Sequence, residues 1–390
     1  MRPPPSRAEV VVVGGGVMGA AIAYHLALRG VRDVLLLERG ALCSGPTRHS
    51  TAIVRLHYTQ PLLVRMALHG QRTYRAFEQV VGSPSGYTRT GMLFGVHHAE
   101  RAMLEGNVAV GRAEGVETYL LDAAQVAELE PRIVAEDLAF CFEPEAGHCD
   151  PYLVTAGFAA AARRAGAGVY EGVLVEAVED GAVRTSTGRI EASAVVVAAG
   201  AWSGALLEPL GYTLPLRAAP AEVGRYRLPP GFGSPPPAVA DFSSAQLYFR
   251  PAEPGVLEVG SLDPRHADAP VDPDRPPEGA GDATLDGYRR ALARRLRGTE
   301  GGHWRGAWCG VYDVTPDWEP AIGAVPGTDG VYVAAGFSGH GFKLAPAVGV
   351  AIAELVCDGA AQAFDLELLS PERFARGALV GARYGYSVLG

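Results

Sequence analysis

The feature that most constrains this chain is a glycine-rich turn between a strand pattern and a helix pattern, in AEVVVVGGGVMGAAIAYHLALRGVRDVLLLERG. Residues 10–13 form a short apolar run, typical of a parallel strand buried on both faces. Residues 20–29 are good helix formers and end at Gly30, a residue suited to cap a helix. A second apolar run, 34–37, ends at Glu38. This order predicts a Rossmann-type α/β unit at the start of the chain.

Four residues of this unit carry a nucleotide-binding pattern. Gly14, Gly16 and Gly19 have the spacing GxGxxG, which allows a tight turn, close approach of a pyrophosphate, and close packing of helix on strand. Glu38 lies 19 residues after Gly19, at the end of the next strand, where its carboxylate can bind ribose hydroxyls and would repel a 2′-phosphate. We therefore expect NAD or FAD rather than NADP. A glycine turn that binds no ligand is the alternative.

Composition narrows the class of partner. With 48% hydrophobic residues, a chain of 390 residues can bury large cores, and its length favours two subdomains. The net charge of −9 comes without long runs of either sign, which argues against nucleic acid or an anionic membrane and favours a small-molecule partner. No apolar run is long enough for a signal-peptide core or a membrane span. Five scattered cysteines indicate neither disulfides nor zinc, so we expect a cytoplasmic protein, and the near-complete use of arginine suggests a bacterial genome.

Patterns further along the chain predict a second, inserted domain. Asp150 and Pro151 are typical of a helix start, and the alanine-rich helix that follows stops near Gly166. Proline clusters and short strand patterns such as AQLYFRP then indicate an antiparallel sheet. The helix candidate ATLDGYRRALARRLRG places leucines and Tyr288 on one face and its arginines in solvent. We predict a discontinuous cofactor domain of residues 1–85, 150–215 and 305–390, and a mainly antiparallel substrate domain of residues 86–149 and 216–304.

Five ordered motifs carry a family resemblance. They are ERGALCSGPTRHSTAIVRLHY, GHCDPYLVTAGFAAAARRAG, VVVAAGAWSG, VYDVTPDWEPAIG and GVYVAAGFSGHGFKLAP. Together they resemble the D-amino-acid oxidase superfamily of flavoproteins, in the branch of sarcosine oxidase, glycine oxidase and dimethylglycine dehydrogenase. The resemblance covers nearly the whole chain. It implies FAD, a bilobal fold, and oxidation of a C–N bond beside a carboxylate, by hydride transfer to flavin N5 that gives an imine.

The resemblance also implies a substrate clamp. An arginine in IVR and a lysine in GFSGHGFK share the substrate carboxylate in that branch, and here these positions are Arg55 and Lys343. Lys343 is the only lysine of the chain, which indicates a position that needs a compact point charge rather than a guanidinium fork. His340 either borders the flavin or is a satisfied loop histidine. Tyr248 is either a pocket wall or an ordinary buried strand residue.

The flavin contacts implied by the resemblance lie along the whole chain. The loop around 336–341 is expected to approach the pyrimidine ring, because its glycines let the backbone run close to a flat ligand. The implied contacts are Gly14, Gly16, Val17, Met18, Gly19, Glu38, Arg39, Thr47, His49, Ser50, Val173, Ala199, Gly200, Trp202, Cys309, Gly336, Gly339, Gly341 and Lys343.

Two departures from the family pattern leave questions open. The oxygen-activating lysine of sarcosine oxidase corresponds to Glu258. The electron acceptor is therefore either O₂, as in an oxidase, or another acceptor, as in a dehydrogenase. The flavin-linking cysteine of that enzyme corresponds to Gly310, and Cys309, one residue earlier, would point to the opposite face of a strand. His49, in TRH, stands where the dimethylglycine dehydrogenase branch has a flavin-linked histidine. His49 is therefore either a point of covalent attachment or a noncovalent contact of the flavin, and attachment through Cys309 is expected less than attachment through His49.

The function predicted from these features is FAD-dependent oxidation of the C–N bond of a small amino acid or of an N-alkyl or cyclic amino acid. One alternative is a NAD-dependent dehydrogenase, which the glycine turn and Glu38 equally allow. The other is a non-catalytic flavoprotein subunit, against which the presence of both Arg55 and Lys343 argues. His148 and Cys149 have no further ligands at suitable spacing, so no metal is expected. The sequence gives no information on oligomeric state.

Overall fold

The computed structural model describes residues 3–381; residues 1–2 and 382–390, at the ends of the predicted ranges 1–85 and 305–390, lie outside this description. The helices of the described part are α1 Val17–Leu28, α2 Pro61–Arg75, α3 Phe77–Val81, α4 Arg101–Ala113, α5 Ala123–Leu129, α6 Pro151–Arg164, α7 Ser203–Leu207, α8 Asp282–Arg295, α9 Ala345–Asp358 and α10 Glu372–Arg376. Its strands are β1 Arg7–Val13, β2 Val34–Glu38, β3 Ile53–Val54, β4 Thr88–Arg89, β5 Met92–His97, β6 Tyr119–Leu121, β7 Leu138–Glu143, β8 Gly147–His148, β9 Gly168–Glu171, β10 Val175–Glu179, β11 Ala182–Thr185, β12 Gly188–Val197, β13 Arg217–Arg227, β14 Ala238–Asp241, β15 Leu247–Pro251, β16 Val256–Ser261, β17 His303–Val314, β18 Ala321–Ala324 and β19 Val331–Ala335.

The first sheet is the parallel sheet that the opening of the sequence predicts. Its order is β18-β19-β12-β1-β2-β9; β11 pairs with the first part of β12, and β10 pairs with β11. The strands β19, β12, β1, β2 and β9 are mutually parallel. Val10 and Val12 join the core against α1, whereas Val11 and Val13 join the core on the other face. A strand buried on both faces needs a continuous apolar run, which explains the valines of β1.

The second sheet is mainly antiparallel, in the order β17-β13-β16-β15-β14-β5-β7-β6. Only the pair β14 and β5 is parallel among these strands. The side chains alternate between the two faces along β15: Leu247 and Phe249 pack in the core with α8, and Tyr248 joins the opposite face. A small sheet, β3-β8-β4, completes the described strands. The architecture is therefore the predicted one, a Rossmann-type sheet combined with a mainly antiparallel sheet.

Some of the boundaries predicted from the sequence coincide with the ends of helices and strands, and others do not. The range 216–304 begins where β13 begins, but its end falls inside β17, which pairs along its length with β13 in the second sheet. The predicted helix start at Asp150 is present, since the Asp150 carboxylate accepts from the N–H groups of Tyr152 and Leu153 at 2.8 and 3.0 Å. The division of the chain into domains stays a prediction.

The prediction that the arginines of α8 all face solvent is wrong for Arg295. This side chain is fully buried, and its guanidinium pairs with Asp241 at 2.7 Å and with Asp137 at 2.9 Å. Asp241 is itself fully buried at the end of β14, so it requires a cation in the same place. The rigid guanidinium fork also donates to Ser244, which explains why an arginine occupies the last turn of this helix on its inner side.

Candidate active site

A long cavity of about 360 Å³ runs from the carboxyl ends of β1 and β2 to one face of the second sheet. This is the place where open parallel sheets usually bind their ligands. Most of the predicted cofactor contacts line this cavity, and Tyr248 lines it as well. The predicted contacts in its wall are Gly14, Gly16, Val17, Met18, Glu38, Arg39, Thr47, His49, Ser50, Val173, Ala199, Gly200, Trp202, Gly339 and Gly341.

The glycine turn has the geometry of a dinucleotide cradle. Gly14 has a φ of +111°, and a Cβ added there would lie 2.4 Å from the carbonyl oxygen of Ala198. A Cβ at Gly19 would lie 1.9 Å from the carbonyl oxygen of Gly14, so neither position can carry a side chain. The N-cap residue Gly16 has no side chain, and the Val17 N–H donates to the Thr47 hydroxyl at 3.2 Å, so the following N–H groups of the first turn of α1 are available to an anion. These residues fit a pyrophosphate.

Glu38 is held at the carboxyl end of β2, beside the glycine turn. Its two carboxylate oxygens accept from the N–H groups of Gly15 and Gly40, each at 2.7 Å. A carboxylate oxygen can accept more than one hydrogen bond, so these contacts orient the group and leave acceptor capacity toward the cavity. The structure thus places Glu38 in the cavity wall beside the glycine turn, and its contact with a ribose stays a prediction.

Three residues from distant parts of the chain contact one another at this end of the cavity. The guanidinium of Arg39 lies 4.0 Å from the ring centre of Trp202. Asp274 accepts from the Arg39 guanidinium at 2.7 Å and from the Trp202 indole N–H at 3.0 Å. We call these three residues the strap. They join segments that lie far apart in the sequence, and Arg39 and Trp202 both line the cavity.

The other end of the cavity lies between the second sheet and the glycine loop 336–341. Tyr248 and Tyr312 are in its wall, together with Gly339 and Gly341. Gly339 has a φ of +89°, and a Cβ there would lie 2.8 Å from the Tyr312 ring. The loop therefore lies flat on this tyrosine, as a segment without side chains can. Tyr312 was not predicted from the sequence, although it stands inside the quoted motif VYDVTPDWEPAIG.

His49 and Cys309, the two candidates for covalent attachment, occupy different environments. His49 lines the cavity and packs on Gly310, where an added Cβ would lie 3.0 Å from the His49 Cβ. The indole N–H of Trp308 donates to the His49 carbonyl at 2.8 Å, which fixes this segment. Cys309 is buried and is absent from the cavity wall, since neighbouring residues of a strand point to opposite faces. Burial and Arg48 lower the pKa of His49, which favours its neutral imidazole.

Some predicted cofactor contacts lie outside the cavity wall, each for a physical reason. Gly19 serves the packing of α1 on the glycine turn. Gly336 has a φ of +77° and packs on Thr315, to which an added Cβ would come within 2.4 Å. Cys309 points away, as described above. Lys343 is buried behind the loop, with 4% of its surface exposed.

A buried polar cluster lies behind the inner end of the cavity and contains the predicted clamp. Arg55 is 7% exposed, and its guanidinium lies 4.5 Å from the ring centre of Tyr58. The Lys343 ammonium donates to the His340 carbonyl at 3.1 Å and lies 5.8 Å from the same tyrosine ring. Two buried cations therefore face one aromatic ring. Burial and Arg55 hold the pKa of Lys343 well below its ordinary value, and Glu143 opposes this shift.

His340 is tied into the cluster by both ring nitrogens. Its Nε2 lies 2.9 Å from the Trp318 carbonyl oxygen, which can only accept, so Nε2 carries the proton. Its Nδ1 lies 3.3 Å from the Tyr58 hydroxyl, which is therefore the donor to a neutral imidazole. Burial and Lys343 lower the pKa of His340 to about 3, in agreement with the neutral form. Because both ring nitrogens of His340 have partners, the geometry favours a satisfied histidine that positions its neighbours.

Two carboxyl groups of this cluster were not identified from the sequence. Glu143, at the end of β7, accepts from the Leu56 N–H at 2.8 Å, and burial raises its pKa to about 7 despite Arg55 and Lys343. Glu319 lies on the other side, with its Oε2 atom 3.9 Å from His340 Nε2. Glu319 stands inside the quoted motif VYDVTPDWEPAIG but was not singled out there, whereas Glu143 stands in none of the quoted motifs.

A comparison with models of protein families decides the assignment. The family of FAD dependent oxidoreductases called DAO matches residues 9–355. The chain belongs to this family. FAD is therefore its cofactor, and the chain is an FAD-dependent amine or amino-acid oxidoreductase; the alternative of a NAD-dependent dehydrogenase is set aside.

Individual relatives of the DAO family agree. The chain is 29% identical to glycine oxidase of Geobacillus kaustophilus, over 94% of this chain and 97% of that enzyme. It is also 29% identical to the mitochondrial sarcosine dehydrogenase of Homo sapiens, over 92% of this chain but only 40% of the human protein. The crystal structure of L-proline dehydrogenase from P. horikoshii superposes with a TM-score of 0.87 at 27% identity, covering 96% of this chain and 100% of that one.

The position of the expected oxygen-activating lysine holds a buried ion pair. Glu258 pairs with Arg250 at 2.5 Å, and both side chains are buried on β16 and β15. Burial raises the pKa of Glu258, and Arg250 opposes this shift. Within residues 3–381, no three His, Cys, Asp or Glu side chains are grouped to hold a metal ion. In the same part of the chain, no helix is both long and apolar enough to cross a membrane.

Proposed function

We propose that this DAO-family protein oxidises the C–N bond of a small amino acid, or of an N-alkyl or cyclic amino acid, held by its carboxylate between Arg55 and Lys343. The observation that carries the proposal is the pair of buried cations behind the inner end of the cavity. In the described part of the chain, the Lys343 ammonium contacts a carbonyl and has no carboxylate within 4.0 Å. A buried ammonium without an anion is unfavourable, so a ligand carboxylate would stabilise it.

The residues of the chain act mainly by orientation. A carboxylate held at two points leaves the neighbouring carbon with little rotational freedom, which is the main requirement for transfer of its hydrogen. When bound, the flavin supplies the acceptor for the hydride released at that carbon. Tyr248, Tyr312 and the glycine loop line this end of the cavity, where they would surround the reacting carbon. The product expected from this reaction is an imine.

The names of the relatives support a defined set of test substrates. Glycine, sarcosine, L-proline and 4-methylaminobutanoate appear in the names of matched proteins. Purified protein is mixed with each compound without oxygen, and flavin absorbance is followed. We expect at least one of these compounds to bleach the flavin; bleaching by none of them would contradict the proposal.

A second measurement identifies the electron acceptor. The flavin reduced in the first experiment is exposed either to air or to an artificial electron-accepting dye. The Arg250–Glu258 pair leaves little net positive charge where a cation was expected, which supports slow reaction with air and faster reaction with the dye. Rapid reoxidation by air would instead support an oxidase.

A further inference from the structure

Glu319 lies on a turn that is held in place from several sides. Trp318, the residue before it, is not a glycine yet has a φ of +63°, a conformation that an ordinary residue adopts only when its surroundings impose it. The Glu319 carbonyl accepts from the Thr315 hydroxyl at 2.8 Å and from Arg373 at 2.7 Å. Arg373 in turn pairs with Asp317 at 2.8 Å. The backbone that carries Glu319 is thus held by hydrogen bonds on this turn.

The carboxyl group of Glu319 has an oxygen without a partner. Glu319 is 4% exposed, and its Oε2 atom has no hydrogen bond. Buried polar atoms nearly always have partners, so an exception in a polar cluster indicates a ligand that is not present. This oxygen lies 3.9 Å from His340 Nε2, whose proton is already donated to the Trp318 carbonyl. Glu319 is therefore not satisfied by the histidine beside it.

The charges around Glu319 complement an amino acid. The proposed substrate carries a carboxylate, for which Arg55 and Lys343 are present, and an ammonium group, which requires an acceptor. An ammonium nitrogen has no electron pair to form the C=N bond, so one proton must leave before oxidation. We propose that Oε2 of Glu319 accepts the proton that the substrate's ammonium group loses before the adjacent C–H bond is oxidised. This inference rests on the proposed function.

The transfer is balanced within the protein. One N–H bond of the substrate breaks, its electron pair stays on nitrogen, and one O–H bond forms on Glu319. Burial and Asp317 raise the pKa of Glu319 to about 8, and Arg373 and Arg55 oppose this shift. Such a pKa is close to working pH, as is favourable for a group that accepts and later releases a proton. The other groups facing this carboxyl are His340 and Tyr58.

The pH dependence of flavin reduction tests the proposal. With sarcosine or L-proline, whichever reduces the flavin faster, the wild-type rate should rise with pH through about 8, because only the ionised carboxylate can accept a proton. In Glu319→Gln the rate at pH 7 to 8 should fall by about 100-fold or more, and the rise should move to a higher pH set by the bound amine. Glu319→Asp should keep the wild-type midpoint at an intermediate rate. An unchanged rate and midpoint in Glu319→Gln would overturn the proposal.

Glu143→Gln is the matched control, since it removes the other buried carboxyl of the cluster. Glu143 accepts from the Leu56 N–H and is absent from the groups around Glu319, so its loss should leave the midpoint in place. If Glu143→Gln shifts the midpoint as Glu319→Gln does, the effect is general electrostatics and the proposal fails.

A further readout separates this proposal from the proposed function. Acetate, which has a carboxylate and no ammonium, should perturb the flavin spectrum of the wild type and of Glu319→Gln with the same Kd. If acetate binds neither protein and no substrate bleaches the wild type, the clamp itself is absent, and both proposals fall.

Discussion

Replacement of Lys343 by methionine tests the clamp most directly. Methionine has a similar length and no charge, so the variant removes one of the two cations and leaves Arg55 in place. A hydrogen bond to a charged group contributes about 1.5–3 kcal/mol, which corresponds to a rise in the Kd of the substrate or of acetate of roughly 10- to 150-fold. FAD content should not change, because Lys343 is absent from the cavity wall.

Although Lys343→Met should weaken ligand binding, it should not lower the free energy of unfolding. The pKa of Lys343 is lowered on folding, so below it the folded state carries the unfavourable buried charge. As pH rises from this lowered pKa to the ordinary value of 10.5, the unfolded chain binds more protons than the folded one, and the wild type gains stability. Lys343→Met should therefore be at least as stable as the wild type at pH 7, with an advantage that shrinks toward high pH.

The assay combines two titrations on the same preparations. Acetate binding is followed by the flavin absorbance, and unfolding by urea at pH 7 and pH 9. Lys343→Arg serves as a second variant: α2 packs so closely here that a Cβ on Gly70 would lie 1.9 Å from the Lys343 carbonyl oxygen, and the larger guanidinium should bind acetate less well than the wild type. Unchanged acetate affinity in Lys343→Met, with full FAD content, would refute the clamp.

Three other predictions concern the cofactor and the fold. After boiling in detergent, the wild-type band should fluoresce from attached flavin, His49→Ala should lose this signal and Cys309→Ser should keep it; a dark wild-type band would exclude both attachments. Asp274→Ala removes the carboxylate that joins Arg39 and Trp202 in the strap. Because exposed ion pairs contribute up to about 1 kcal/mol, FAD should dissociate up to about 5-fold faster at low salt, with a smaller effect at high salt. No change at low salt would show that the strap does not retain FAD. Arg295→Met leaves Asp241 buried without its cation and should lower the free energy of unfolding by about 3–5 kcal/mol in urea titration, while the double variant with Asp241→Asn should recover part of the loss; wild-type stability in Arg295→Met would contradict the assignment.

The parts of the molecule that the sequence predicts are those specified by local chemistry. The turn at Gly14, with its positive φ, admits only a residue without a side chain, and Glu38 follows at the spacing set by one helix and one strand. The cap at Asp150 is equally local. The single lysine is informative for another reason: a chain that uses arginine elsewhere retains an ammonium at a position where the structure shows 4% exposure.

What the sequence did not predict depends on contacts between distant segments. Glu143 and Glu319 come from separate parts of the chain, and they lie beside the predicted residues Lys343 and His340 only in the folded protein. The burial of Arg295 also depends on a distant residue. An arginine in an amphipathic helix is ordinarily exposed, and Arg295 is buried because it pairs with Asp241, 54 residues earlier. A carboxyl group has no pattern of its own, so its partners must be known before its role is.

The parallel sheet also has a consequence for the order of events during synthesis. β12 cannot pair with β19 until residues 331–333 have been made, and the cavity lacks one wall until the glycine loop follows. The nucleotide turn at Gly14 emerges from the ribosome before β19, which pairs with β12, and before the glycine loop that lines the cavity. A chain interrupted before residue 331 would therefore present the glycine turn without the complete site for the cofactor.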